Sequence, residues 1–171
     1  MTQHLREEPA TPATPRPIGR SAGPIVLGTE FGAVSAAAER VAIARALAGD
    51  VPLLIVHGID PGRLRLPGGR FHLRFDQARA AREADAQMTM RRARDAGVRP
   101  QVLIWDGDPA TCIVDAARSE GASRIVVGSH GRGRLGRAIV GSVSSAVADL
   151  ADCPVEVVRA DATEMETVEI S

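Results

Sequence analysis

Short apolar runs, largely of β-branched residues, alternate along the chain with longer stretches rich in alanine and arginine. The runs at 25–29, 53–59, 101–105, 124–128 and 155–159 read as strands. Most are continuously apolar rather than alternating, the pattern of strands covered on both faces and hence of a parallel sheet. Between them the spacing predicts helices at about 33–48, 76–96, 109–120 and 142–151. This alternation argues for βα units and an α/β fold. Three of the helices run into a glycine and then a strand, at Gly49, Gly97 and Gly121. Glycine past a helix end adopts the left-handed conformation that stops it. The third helix has a start signal as well: Asp108 caps free backbone N–H groups, and Pro109 sits in the first turn, where its missing N–H costs nothing. Val143, Ala146, Val147 and Leu150 share one face of the last helix and are expected to dock on the sheet.

The 171 residues suit one domain with tails. Residues 1–20, with Pro9, Pro12, Pro15 and Pro17 and little apolar bulk, read as a solvated N-terminal arm. Residues 21–159 form the domain, and 160–171 an acidic tail whose Asp161, Glu164, Glu166 and Glu169 are expected to stay in water. The stretch 60–73, with Gly62, Gly68, Gly69 and interspersed arginines, has no clear period and reads as a loop.

Composition removes several chemistries. All 21 basic residues are arginine, with no lysine, asparagine or tyrosine, a bias that a GC-rich genome explains. There is therefore no P-loop lysine, Schiff-base lysine or Ser-Lys pair. The 21 acidic residues cancel the charge, which leaves no general attraction for nucleic acid or anionic lipid, and 2% aromatic content argues against base stacking. No apolar stretch reaches the roughly 20 residues of a membrane span, and Cys112 and Cys153 lack a nearby second cysteine. A cytoplasmic protein is expected. No histidine pair has metal-ligand spacing and no Gly-x-Ser-x-Gly elbow occurs, so no catalytic or metal-ligating residue is assigned. His57, on the second strand, reads as a packed or hydrogen-bonded core residue; Trp105, Met88 and Met90 read as packing residues.

In open parallel sheets the ligand crevice lies outside the carboxyl ends of the strands. The loop after the fourth strand, Gly128-Ser129-His130-Gly131-Arg132-Gly133-Arg134-Leu135-Gly136-Arg137, is dense in glycine, and Gly141-Ser142 opens the last helix. Unshielded N–H groups, a helix start and the Ser142 hydroxyl suit a polyphosphate, with Arg132, Arg134 and Arg137 supplying charge. The bland alternative is a solvated Gly-Arg turn. Gly131-x-Gly133-x-x-Gly136 also spells a dinucleotide fingerprint, but the helix starts late and only Glu156 lies on the following strand, so half of such a site is missing.

The spacing Gly128-x2-Gly131-x9-Gly141-Ser142 resembles the signature of the ATP-binding class of the universal stress protein family. The resemblance extends over about residues 21–159, through the ending Cys153-Pro154-Val155-Glu156-Val157-Val158. It implies a Rossmann-like, adenine-nucleotide alpha-hydrolase-like fold: a single open five-stranded parallel sheet, strand order 3-2-1-4-5, with helices on both faces. It further implies that Gly131, Gly141 and Ser142 contact ATP phosphates and that Val127 and Gly128 lie along the ribose and adenine. Gly58 matches the position whose backbone meets the adenine edge, Gly107 another wall, and Ser129, His130 and Arg132 border the phosphates. At the end of the first strand, after Thr29, Glu30 stands where the family often has aspartate, which keeps the carboxylate but moves it out by one methylene. A divalent ion, Mg2+ or Mn2+, would bridge phosphate oxygens. The last strand, Val155–Arg159, is expected to be an edge that pairs in a homodimer, partly protected by Glu156 if that residue points outward. The function implied is an ATP-binding, nucleotide-responsive stress module. The alternatives are a slow metal-dependent ATP hydrolase or phosphotransferase, and an interaction dimer that no longer binds nucleotide.

Overall fold

The computed structural model describes residues 22–32, 35–64, 71–129, 141–160 and 167–170. The chain order is β1 (Ile25–Gly28), α1 (Ser35–Gly49), β2 (Leu53–Ile59), a 3-10 turn (Pro61–Leu64), α2 (Phe71–Asp95), β3 (Pro100–Asp106), α3 (Pro109–Ser119), β4 (Arg124–Ser129), α4 (Ser142–Leu150), β5 (Val155–Arg159) and β6 (Thr167–Ile170). The first five strands are parallel in the order β3-β2-β1-β4-β5, as expected.

Successive strand residues point to opposite faces, so each apolar run feeds two cores. Ile25, Leu27, Leu53, Ile55, Val126 and Val158 pack under α1 and α2, against Ala37, Ala38, Ala42 and Ala46 and against Met90 and Ala93. The alanine stripe lets α1 approach the sheet closely. Val26, Leu54, Val56, Ile125, Val127, Val155 and Val157 pack under α3 and α4, against Ile113, Ala116, Ala117 and Val147. Residues buried on both faces explain why the strands read as continuous runs.

Several expectations change. Gly97 (φ +88°) and Gly121 (φ +59°) are left-handed as expected, but after α1 that conformation falls on Asp50 (φ +46°), while Gly49 remains helical. The predicted loop 60–73 contains the 3-10 turn, and α2 begins at Phe71, ahead of Asp76. On α4, Val147 and Ser144 are buried while Leu150 is 52% exposed, so the docking face is rotated away from Leu150. Met90 is core, but Met88 is 60% exposed.

The largest corrections concern β5. Residues 167–170, expected in an acidic solvated tail, form β6 and pair antiparallel with β5, so Val155–Arg159 is an inner strand and the edge expected to pair in a dimer is occupied. Glu156 does not point outward either. It is 1% exposed, on the α1 side of the sheet, where Arg45 donates from Nε and Nη2 to its two carboxylate oxygens at 3.1 and 2.9 Å. Arg124 adds a longer contact at 3.4 Å.

Candidate functional site

Strand order reverses between β1 and β4, and there the carboxyl ends of β1, β2 and β4 open on a cleft of about 350 Å3. Gly28, Thr29 and Glu30 form one wall, His57, Gly58, Ile59 and Asp60 a second, and Val127 with Gly128 a third. The start of α4 closes it with Gly141, Ser142, Val143 and Ser144.

Two glycines of the walls are required by packing. A Cβ on Gly58 would lie 2.6 Å from Cα of Pro109, and one on Gly28 would lie 2.5 Å from Cδ1 of Ile113. The first turns of α3 therefore sit directly against β1 and β2, and Pro109 and Ile113 become part of the lining.

The helix starts at this end differ in what they leave open. Asp108 caps α3, accepting from the backbone N–H and the hydroxyl of Thr111, both at 3.0 Å. α4 begins at Gly141, which has no side chain to offer, and no side-chain cap bond is made. The hydroxyl of Ser144 instead donates to the Gly141 carbonyl at 2.9 Å. The N–H groups of the first α4 turn, which have no partner inside the helix, are thus left at the cleft together with the positive end of the helix dipole. An anion is the natural complement.

The β1–α1 turn is fixed by local bonds. Phe31 has φ +59° and donates its N–H to the Thr29 hydroxyl at 2.9 Å; the Glu30 N–H donates to the Ser35 hydroxyl at 3.2 Å. His57 holds the turn from β2, with Nδ1 2.7 Å from the Thr29 carbonyl oxygen and its ring 5.2 Å from that of Phe31. A carbonyl oxygen only accepts, so Nδ1 carries the proton and Nε2 of the neutral ring is an acceptor. Burial pushes the imidazole below its ordinary 6.5, against the opposing effect of the Thr29 bond. The sign follows: the contribution of neutral His57 to stability is complete above pH 6.5 and is lost as pH falls through its lower folded value. Thermal midpoints measured between about pH 7 and about pH 5 are expected to fall less steeply in His57→Gln than in the parent. Equal slopes would show that His57 does not carry this dependence.

Of the residues expected to form the site, Thr29, Glu30, Gly58, Val127, Gly128, Gly141 and Ser142 line the cleft. Gly107 and Ser129 do not. Gly107 lines an adjacent shallower hollow with Arg79, Trp105 and Asp106, and its N–H donates to the Ile59 carbonyl at 2.9 Å. Ser129 is buried, and its carbonyl accepts from Ala160. His130, Gly131 and Arg132 lie outside the described residues, as do Arg134 and Arg137. Glu30 is exposed at the rim, and its carbonyl accepts from Arg82 at 3.1 Å.

Sequence reasoning missed Arg82, which reaches the cleft from α2 and is the one cationic side chain lining it among the described residues. Its Nη1 also donates to Asp85 at 3.1 Å. No motif marks it; only the docking of α2 brings it there. Asp60 and Ser144, also in the lining, were missed despite standing within two residues of Gly58 and Ser142. Among the described residues no group of three or more His, Cys, Asp or Glu side chains is placed to hold a metal ion, and none of the helices there is long and apolar enough to cross a membrane.

Sheet order and cleft position define an α/β protein of the Rossmann-like class, with its crevice at the switch point. The sequence profile described as the Universal stress protein family matches residues 22–159, and the chain belongs to that family. A universal stress protein of Thermus aquaticus is 36% identical over 124 residues, covering 71% of this chain and 88% of that one. One from Mycolicibacterium smegmatis is 32% identical over 146 residues, which is 80% of this chain but 48% of the relative, so this chain spans about half its length. Among solved structures, a universal stress protein from Archaeoglobus fulgidus in complex with dAMP superposes with TM-score 0.59 at 23% identity, covering 81% of this chain and 98% of that one. A universal stress protein in complex with cAMP gives 0.59 at 23%, with 82% and 100% covered. At these identities the superpositions establish the fold.

Proposed function

We propose that the chain binds an adenine nucleotide, ATP above all, in this cleft and serves as a nucleotide-responsive stress module. The observation that carries the reading is the uncapped N-terminus of α4 facing a cleft of about 350 Å3 at the strand switch. That volume falls within the roughly 300–1,000 Å3 of small-ligand sites. Phosphates lie at residues 141–144, where backbone N–H groups and the Ser142 hydroxyl donate. The nucleoside lies toward Thr29, Gly58 and Val127, with apolar contacts from Ile113 and Val143. The relatives in complex with dAMP and cAMP, which share the fold, support an adenine nucleotide as the class. Gly131, His130 and Arg132 belong to the proposal through their place in the glycine spacing. Mg2+ or Mn2+ enters only as a passenger on the phosphates. The role proposed is binding rather than turnover.

Equilibrium dialysis with labelled ATP tests this. Saturable binding is expected in the parent chain, weakened at least about tenfold in Gly141→Glu, where a carboxylate occupies the anion position at the helix start. Absence of saturable binding by a folded parent chain, or binding unchanged in Gly141→Glu, would overturn the reading.

A further inference from the structure

We propose that the outer side of β3, with the hollow beside Trp105, is a docking site for an extended basic segment of a partner protein, which adds to the sheet as a further strand. β3 is an end strand of the sheet, and among the described residues no strand pairs with its outer side. The backbone groups that face outward follow from the β2–β3 ladder. At one end Leu53 donates to the Arg99 carbonyl at 3.1 Å; at the other Gly107 donates to the Ile59 carbonyl at 2.9 Å. Along such a ladder alternate residues turn their N–H and C=O groups to the neighbour. Residues 99, 101, 103, 105 and 107 therefore face β2, while Val102, Ile104 and Asp106 hold theirs outward. A row of this kind is a template for another strand.

The template is held from both faces. Val102 packs against the core under α1 and α2, and Leu103 against the core under α3 and α4, so β3 keeps its shape without an outer neighbour. Successive side chains alternate between those faces. Val102 and Ile104 thus lie on the α2 side, and Leu103 and Trp105 on the α3 side.

The partner's chemistry is set by the end of the strand. Trp105 is exposed and lines a hollow of about 560 Å3 together with Asp106, Asp108, Asp115 and Arg79, so three carboxylates stand there with one guanidinium. Asp106 meets Arg79 at 3.3 Å and Asp115 meets Arg118 at 3.4 Å, both in exposed pairs, and Asp108 caps α3. Exposed pairs of that length are weak, so they yield to a better-placed cation. An arginine or lysine in register with Trp105 stacks on the indole face and meets the surplus of carboxylates. On the other side, apolar residues continue the surface of Val102 and Ile104. The segment that fits therefore alternates basic and apolar residues. The inference goes beyond the nucleotide reading and does not depend on it, since the hollow and the cleft share no lining residue.

The test uses the full chain. Trp105 is its single tryptophan and it has no tyrosine, so intrinsic fluorescence reports on this edge alone. The probe is acetyl-Thr-Val-Arg-Val-Arg-Val-Thr-amide, and the control carries glutamate in place of both arginines. A saturable change in Trp105 emission is expected with the probe, and at least about tenfold weaker binding with the control. Ile104→Pro removes an outward amide that the β2 ladder does not use, and is expected to weaken the probe at least about tenfold while the melt stays cooperative. Absence of a saturable change in the parent chain overturns the proposal, as does equal affinity for probe and control. Unchanged affinity in a folded Ile104→Pro does the same. Should Ile104→Pro lose its cooperative melt, the parent chain is titrated with the probe N-methylated at every amide; strand addition requires that binding to be lost, and unchanged affinity overturns it.

Discussion

Arg45→Ala is expected to lower the stability of the folded chain by about 3 kcal/mol, a drop of roughly 10 °C in thermal midpoint for a domain of this size. The reason lies in the burial of Glu156. Its carboxylate is 1% exposed, and the guanidinium of Arg45 supplies the two shorter of its three charged hydrogen bonds, in a fork matched to both oxygens. Removing Arg45 leaves a buried anion with the 3.4 Å contact from Arg124 as its remaining described partner. The desolvation of that anion is no longer offset. Exposed pairs behave otherwise: Arg99 and Asp50 are 68% and 99% exposed, and Arg99→Ala should change stability by no more than about 0.5 kcal/mol. Arg45→Lys loses the planar fork and is expected to fall between the two. Combining Arg45→Ala with Glu156→Leu removes the buried charge itself and should recover much of the loss. Calorimetric melts of the four variants decide the matter; an Arg45→Ala midpoint matching that of Arg99→Ala would show that the buried pair is worth no more than a surface one.

That ion cluster also marks where the sequence was hard to read. Glu156 interrupts an otherwise apolar run, and a lone carboxylate in a strand looks like an outward residue protecting an edge. Its two arginine partners stand 111 and 32 positions away, so no local pattern announces them. The strands themselves were legible because double-sided burial forces continuous Val, Ile and Leu. α3 was legible because Asp108-Pro109 is a start signal with one physical meaning. β6 was not, because four acids in twelve residues suggested solvation, while Thr-Val-Glu-Ile alone carries only a short alternation. At the cleft, residues joined by a short spacing, such as Gly141 with Ser142, were found. Arg82 depends on how α2 docks, and His57 on a backbone carbonyl of the turn after β1. Gly58 was found for a different reason from the one the structure shows, since it makes room for α3 rather than for a ligand alone, and Gly28, which does the same, was not singled out.

Gly58→Ala is accordingly expected to damage fold and site together. The new methyl would lie 2.6 Å from Cα of Pro109, 3.2 Å from its nitrogen and 3.3 Å from its Cβ, so no side-chain rotation relieves the contact and the backbone at the start of α3 must move. Two tethers resist that movement: the Gly107 N–H bond to Ile59 at 2.9 Å and the Asp108 cap on Thr111. Overpacking against a backbone so held costs on the order of 1–3 kcal/mol. Pro109 and Ile113 line the cleft, so whatever displacement relieves the clash shifts the wall on which the nucleoside is proposed to rest. Nucleotide affinity is expected to fall about tenfold in addition to the loss of stability. Gly28→Ala is the comparison, because its Cβ meets side chains of the cleft wall rather than backbone. Its nearest neighbours are Ile113 Cδ1 at 2.5 Å and Val127 Cγ1 at 2.9 Å, side-chain atoms that yield more readily than the backbone of Pro109, so a smaller stability loss is expected there. Chemical denaturation and labelled-ATP binding on both variants distinguish the cases. If Gly58→Ala is as stable as Gly28→Ala, α3 is not seated against β2 as tightly as its contacts imply; if it is destabilised but binds ATP normally, the cleft wall formed by α3 takes no part in holding the nucleotide.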